Sequence, residues 1–136
     1  MKFEFKSFLA IIGSACTMFW CSMPFAIKVL ICFAFIDYLT GMYAAYIKHK
    51  WSSKVGAKGA AKKVFMFFLC LVAFLIDYLL HASSILYNTV IFWYIGNEAL
   101  SITENAIKVG VKVPKKLQAA IEMIISEDDK DGSQTL

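Results

Sequence analysis

The stretch VLICFAFIDYLTGMYAAYIKHKWSSKVGAKGAAKK, residues 29–63, decides the architecture. Its first part, residues 29–47, carries one charge, Asp37, close to the middle. Lys48, Lys50, Lys54, Lys58, Lys62 and Lys63 follow, with no acidic residue among them. Residues 29–47 as a helix rise about 28 Å, close to the hydrocarbon thickness of a bilayer. The segment therefore predicts a membrane span with a carboxylate near mid-depth and a lysine-rich loop at its exit. A charge at that depth costs about 2.5–3.5 kcal/mol on insertion scales, which marks Asp37 as a candidate functional residue. The lysines place the loop in the cytoplasm.

The rest of the composition agrees. A chain of 136 residues has room for one domain. At 60% hydrophobic residues it is too apolar for an ordinary soluble fold. Its cations are all lysine, whereas phosphate-clamping and base-reading surfaces favour the arginine fork. Basic residues beside a span, with no interleaved aromatics to stack on bases, argue against nucleic acid as a partner. Cys16, Cys21, Cys32 and Cys70 lie inside apolar runs, and His49 and His81 stand alone. That pattern predicts neither a disulfide framework nor a metal site, and no cofactor is expected.

Working outward, Lys2 and Lys6 precede an uncharged run over residues 7–27. A signal peptide carries an apolar core of about 7–15 residues, and this run is longer. It reads as a first span over residues 8–22, ended by a turn at Pro24, which donates no N–H. The second span covers residues 26–47. Lys28 near its outer end can snorkel to the headgroups, and Trp51 lies just past its inner end. Lys54, Lys58 and Lys62 recur every fourth residue, so in a helix they form one stripe facing anionic lipid headgroups.

Residues 64–97 hold a single fixed charge, Asp77, and as one helix would reach about 50 Å, too long for one crossing. A break at His81-Ala82-Ser83-Ser84 gives a third span, residues 64–80, and a fourth, residues 85–97, continuing as helix to about residue 109. Four crossings put Lys108, Lys112, Lys115 and Lys116 on the same side as the lysine loop, as the positive-inside rule requires. Both termini are then cytoplasmic. Asn97, Ser101, Glu104 and Lys108 share a face, Gly110 stops the helix, and Pro114 opens an amphipathic helix over residues 114–125. Residues 1–125 thus form one integral-membrane domain. Residues 126–136 read as a disordered acidic tail. The predicted fold class is an all-α membrane protein of about four transmembrane helices with that amphipathic helix and tail.

Each of the first three spans has a stripe of small or polar residues. The first carries Ser7, Ala10, Ser14, Thr17 and Cys21. The second carries Ala34, Asp37, Gly41 and Ala45. The third carries Cys70, Ala73, Asp77 and His81 or Ser84. Such stripes let helices approach closely in a bilayer. They serve either packing within one unit or contacts between subunits. Ile36-Asp37-Tyr38-Leu39 recurs as Ile76-Asp77-Tyr78-Leu79, and if both helices cross, the copies run in opposite directions, as in inverted repeats. Asp37 lies mid-span and Asp77 near an outer end, so the two are not expected to share a proton.

Three pieces of this chain, taken in order, resemble the toxin-secretion/phage-lysis holin family. They are Asp37-Tyr38-Leu39-Thr40-Gly41 with Ala44 and Ala45, then the glycine-lysine run over residues 53–63, then Asn97-Glu98-Ala99-Leu100-Ser101-Ile102-Thr103-Glu104-Asn105 followed by Gly110 and Val113-Pro114. The resemblance covers residues 29–125. It implies a non-enzymatic protein of the bacterial cytoplasmic membrane that self-associates and opens lesions, releasing an endolysin or a toxin without needing to bind it. An antiholin is a further partner the resemblance implies. Asp37, Gly41, Asn97, Glu98, Ser101, Glu104 and Asn105 carry over as motif positions. Two other readings stay open: a small proton- or cation-coupled transporter using Asp37 or Asp77, and an antiholin of the same fold.

Overall fold

The computed structural model describes residues 2–132, with side chains over residues 4–123. Five helices follow one another: α1 (Lys2–Ser22), α2 (Phe25–Ile47), α3 (Ser53–Leu79), α4 (Ile85–Lys108) and α5 (Lys115–Gly132). No strand occurs among the described residues. Three helical stretches are long and apolar enough to cross a membrane: Glu4–Ser22, Phe25–Ile47 and Ser53–Leu79. α4 is not among them, because Asn88, Asn97 and Glu98 interrupt its apolar run.

Local chemistry explains the boundaries. Pro24 is the N-cap residue of α2, and the Lys28 ammonium donates to the Cys21 carbonyl at 3.5 Å, one of the orphan acceptors at the end of α1. α2 and α3 each end on a residue in the left-handed region, His49 at φ 53° and His81 at φ 52°. In each case the histidine N–H bonds three residues back and the next N–H bonds five residues back, which is the Schellman closure. α4 ends the same way on Gly110 at φ 86°. Glycine takes that conformation without strain, and the two histidines do not.

Two expected boundaries move. The lysine segment was expected as a loop up to residue 63, but α3 begins at Ser53. The Ser52 hydroxyl accepts from the Val55 amide, and Lys and Ala then carry the helix forward. The true loop is residues 48–52. α5 was expected to end at residue 125 and instead continues to Gly132, through part of the segment read as a disordered tail. Extending an existing helix adds one hydrogen bond per residue without a new nucleation cost. The last residues of that tail, 133–136, lie outside the described residues.

α4 is the centre of the packing, with α2, α3 and α5 against it, whereas α2 and α3 touch each other sparsely. The buried cluster is Leu30 and Ala34 of α2, Met66 and Cys70 of α3, and Ile91 and Ile95 of α4. Ile121 of α5 is also buried. The α2 stripe and the Cys70, Ala73 and Asp77 part of the α3 stripe therefore face inward, whereas His81 and Ser84, beyond the end of α3, are exposed. α1 differs: every described side chain from Glu4 to Ser22 is exposed, including Ala10, Ser14 and Thr17. The Ser14 and Thr17 hydroxyls bond to the carbonyls of Ala10 and Gly13 in their own helix.

Candidate functional site

The polar centre of the molecule lies where α2, α3 and α4 meet. Lys63 sits at the end of the lysine run and the beginning of the apolar part of α3. Its ammonium donates to Asp37 Oδ2 at 2.6 Å and to Glu98 Oε2, so one cation holds carboxylates from two other helices. Asp37 Oδ1 accepts from Asn105 Nδ2 at 3.0 Å, and the same amide group reaches Thr40 Oγ1 at 3.3 Å. The Asn105 carbonyl oxygen accepts from Lys108, which lies 3.9 Å from Glu104. A polar chain thus runs Glu98–Lys63–Asp37–Asn105–Lys108–Glu104.

The geometry follows from helix register. Counted at the helical rise, Asp37, Lys63 and Glu98 lie about 18–24 Å along their helices from the end marked by Phe25, Leu79 and Ile85. They meet at one level because α3 runs antiparallel to α2 and α4. Their side chains are 12%, 19% and 10% exposed, respectively. Gly41 makes room for the approach of α4: a Cβ there would lie 3.4 Å from Asn105 Nδ2. Gly56 and Gly59 make room on α3 for Tyr38, whose hydroxyl and ring would stand 3.5 and 3.6 Å from a Cβ at those positions. Asp37, Tyr38, Gly56 and Lys63 line a cleft of about 180 Å³ that opens beside the ion pair.

Asp77 has a different task. It is 4% exposed, and its carboxylate accepts from the amides of Leu86 at 3.3 Å and Tyr87 at 2.6 Å. Those are orphan donors in the first turn of α4. The N-cap residue, Ser84, sits at φ 58° and makes no side-chain cap. Asp77 therefore caps the next helix from across the turn, and its charge favours the positive end of that helix. The two copies of the Ile-Asp-Tyr-Leu repeat carry carboxylates with separate sets of partners.

Of the other expected residues, Ala34 is buried in the core, and Ala45 is half-buried. Asn97 bonds its own helix at the Trp93 carbonyl, and Ser101 is half-buried. Glu98 and Asn105 join the charge network. Glu104 pairs with Lys108 alone among the described residues, and both are about half exposed, so water screens that pair. Lys54, Lys58 and Lys62 are exposed on α3. Lys63 was missed as a site residue because it was counted with the lysines of the loop. Its position was the available signal: it is the lysine nearest the apolar run, one turn after Gly59. Among the described residues no cluster of His, Cys, Asp and Glu could hold a metal ion.

Apolar helices of membrane length, joined by a polar network that links Asp37, Lys63 and Glu98, define a small multi-spanning helical membrane protein. The bacteriophage holin family matches residues 14–125, and the chain belongs to that family. Membership points to a non-enzymatic membrane protein. The chain is similar to a probable holin of Bacillus phage phi105, 33% identical over 95 residues and 70% of each chain. It is also similar to an uncharacterised protein of Listeria monocytogenes, 36% identical over 132 residues, 97% of this chain and 89% of the relative. A 14.9 kDa protein of Clostridium perfringens is 32% identical over 114 residues, 83% of this chain and 86% of the relative. No solved structure matches the chain.

Proposed function

We propose that this protein is a holin. It accumulates in the bacterial cytoplasmic membrane, self-associates, and opens lesions that release an endolysin or a toxin. The observation that carries this reading is the family match over residues 14–125, together with the likeness to a phage's probable holin. α1 supports the self-association: it is a helix of membrane length whose described side chains are all exposed, leaving the Ala10, Ser14 and Thr17 face open to a second copy. The topology proposed is four crossings with both termini cytoplasmic. α4 crosses as the inner helix of the bundle, where α2 and α3 pack against it and Lys63 pairs with its Glu98. Lys54, Lys58 and Lys62 lie against anionic headgroups.

Induced expression tests the reading. With a cytoplasmic endolysin present, the culture should lyse abruptly; without it, growth should stop and the membrane should pass folded reporter proteins. Continued growth with an intact membrane, at normal abundance of the chain, would sink the proposal. The buried network of Asp37, Lys63 and Glu98 favours a second reading, a proton- or cation-coupled transporter. Passage of small ions without passage of proteins would decide for it.

A further inference from the structure

The charges of the network do not balance. Asp37 and Glu98 share the single cation Lys63, and Lys108 and Glu104 cancel each other at the exposed end. One negative charge is left over in a largely buried site with a cleft beside Asp37 and Lys63. The two carboxylates are not equally served. Asp37 receives Lys63 on one oxygen and Asn105 on the other, whereas Lys63 is the polar partner of Glu98 among the described residues. Removing a carboxylate from water without full compensation favours its neutral form.

We propose that the packed helices bind one proton at the Glu98 carboxyl, and that this proton holds α2, α3 and α4 together. The proton comes from water and adds to a carboxylate oxygen of Glu98. The Asp37–Lys63 ion pair stays intact, and the network becomes neutral. When the proton leaves, the two carboxylates of α2 and α4 repel each other across a single ammonium. α2 and α3 have little other contact, so the strain falls on the junction of all three helices. The charged groups bearing on Glu98 are Asp37 from α2, Lys63 from α3, and Glu104 and Lys108 further along α4. Lys115, Lys116 and Glu122 of α5 are exposed and bond to none of the network. The inference does not depend on the lesion-forming role.

Infrared spectra and melting curves of the full chain in neutral-lipid vesicles test it from mildly acidic to mildly alkaline pH. The wild type should show a protonated-carboxyl C=O band that fades as pH rises, and its melting temperature should fall alongside. Glu98→Gln should lose the band and melt independently of pH. Asp37→Asn should lose it too, because Lys63 and Glu98 then balance. A band that survives in either variant would overturn the proposal, as would a wild-type melting temperature that ignores pH. If both variants fail to fold, a wild-type melting temperature that ignores pH still overturns the proposal.

Discussion

Lys63 Nζ lies 2.6 Å from Asp37 Oδ2 across 26 positions of sequence, and this bond joins two helices that otherwise barely touch. The pair is part of the packed interior, unlike the other lysines of its run. Removing one partner of a buried ion pair is far more damaging than removing an exposed charge, since the other charge stays behind unpaired. Lys63→Met leaves both Asp37 and Glu98 without a cation. It should destabilise the protein by about 3–5 kcal/mol. Lys62→Met, one residue away and exposed, should change stability by less than about 0.5 kcal/mol. Melting of both variants in the same detergent measures the difference. Equal melting temperatures would mean that Lys63 is solvated like its neighbours.

The sequence carried much of this fold and less of its site. Helix ends were legible because Pro24 and Gly110 have local conformational demands that do not depend on tertiary context. Asp37 was legible because one charge in a long apolar run must find a partner. Which partner it finds was not legible. That depends on the antiparallel register of α2 and α3, which no local pattern encodes. The lysine run hid the answer, since Lys54, Lys58, Lys62 and Lys63 look alike until the helix carries Lys63 to the inner face. Asp77 was misleading for a related reason: its partners are backbone amides of α4, and amides leave no mark in a sequence.

The Asp77 cap should show itself in the start of α4. Asp77→Ala removes the acceptor for Leu86 and Tyr87 and leaves two part-buried amides of the first turn of α4 without it. The loss should be about 1–2 kcal/mol, the upper range for helix N-caps. Asp77→Asn retains an acceptor and should lose less. Hydrogen exchange at Leu86 and Tyr87 reads the local effect, and both amides should exchange faster in the alanine variant. Unchanged exchange there would mean that Asp77 does not cap α4.

His81 offers a gain. It occupies the left-handed position that closes α3, at φ 52°. A non-glycine residue there carries about 1–2 kcal/mol of strain. His81→Gly relieves it at a cost of some extra freedom in the unfolded chain, so the net gain should be below about 1 kcal/mol. The melting temperature should rise and the function should be retained. A fall would show that the imidazole contributes more than the backbone strain takes away.

The proposed topology has its own check. Reporter fusions at Gly56, Ser83 and Thr135 should read cytoplasmic, external and cytoplasmic. An external reading at Thr135 alone would leave three crossings, with α4 lying on the protein without passing through the membrane.

Gly41 separates packing within the chain from assembly between chains. It stands one turn from Asp37, and a Cβ at that position would already meet Asn105 Nδ2 at 3.4 Å. A leucine side chain extends well beyond its Cβ, into the space Asn105 uses to reach Asp37 and Thr40. Gly41→Leu should therefore push α4 away from α2 and break the network from within. Monomer abundance in the membrane should drop sharply, with lysis lost as a consequence. Ser14→Leu on α1 should act differently. Ser14 is exposed and no described helix packs there, so the monomer should fold normally while the crosslinked ladder shortens and lysis is delayed. The two variants are compared at matched expression, by immunoblot and then by crosslinking. If Gly41→Leu gave a normal monomer with no ladder, the α2 stripe would be the subunit contact and the α2–α4 packing described above would be wrong. If Ser14→Leu left the ladder and the lysis time unchanged, α1 would have no part in assembly.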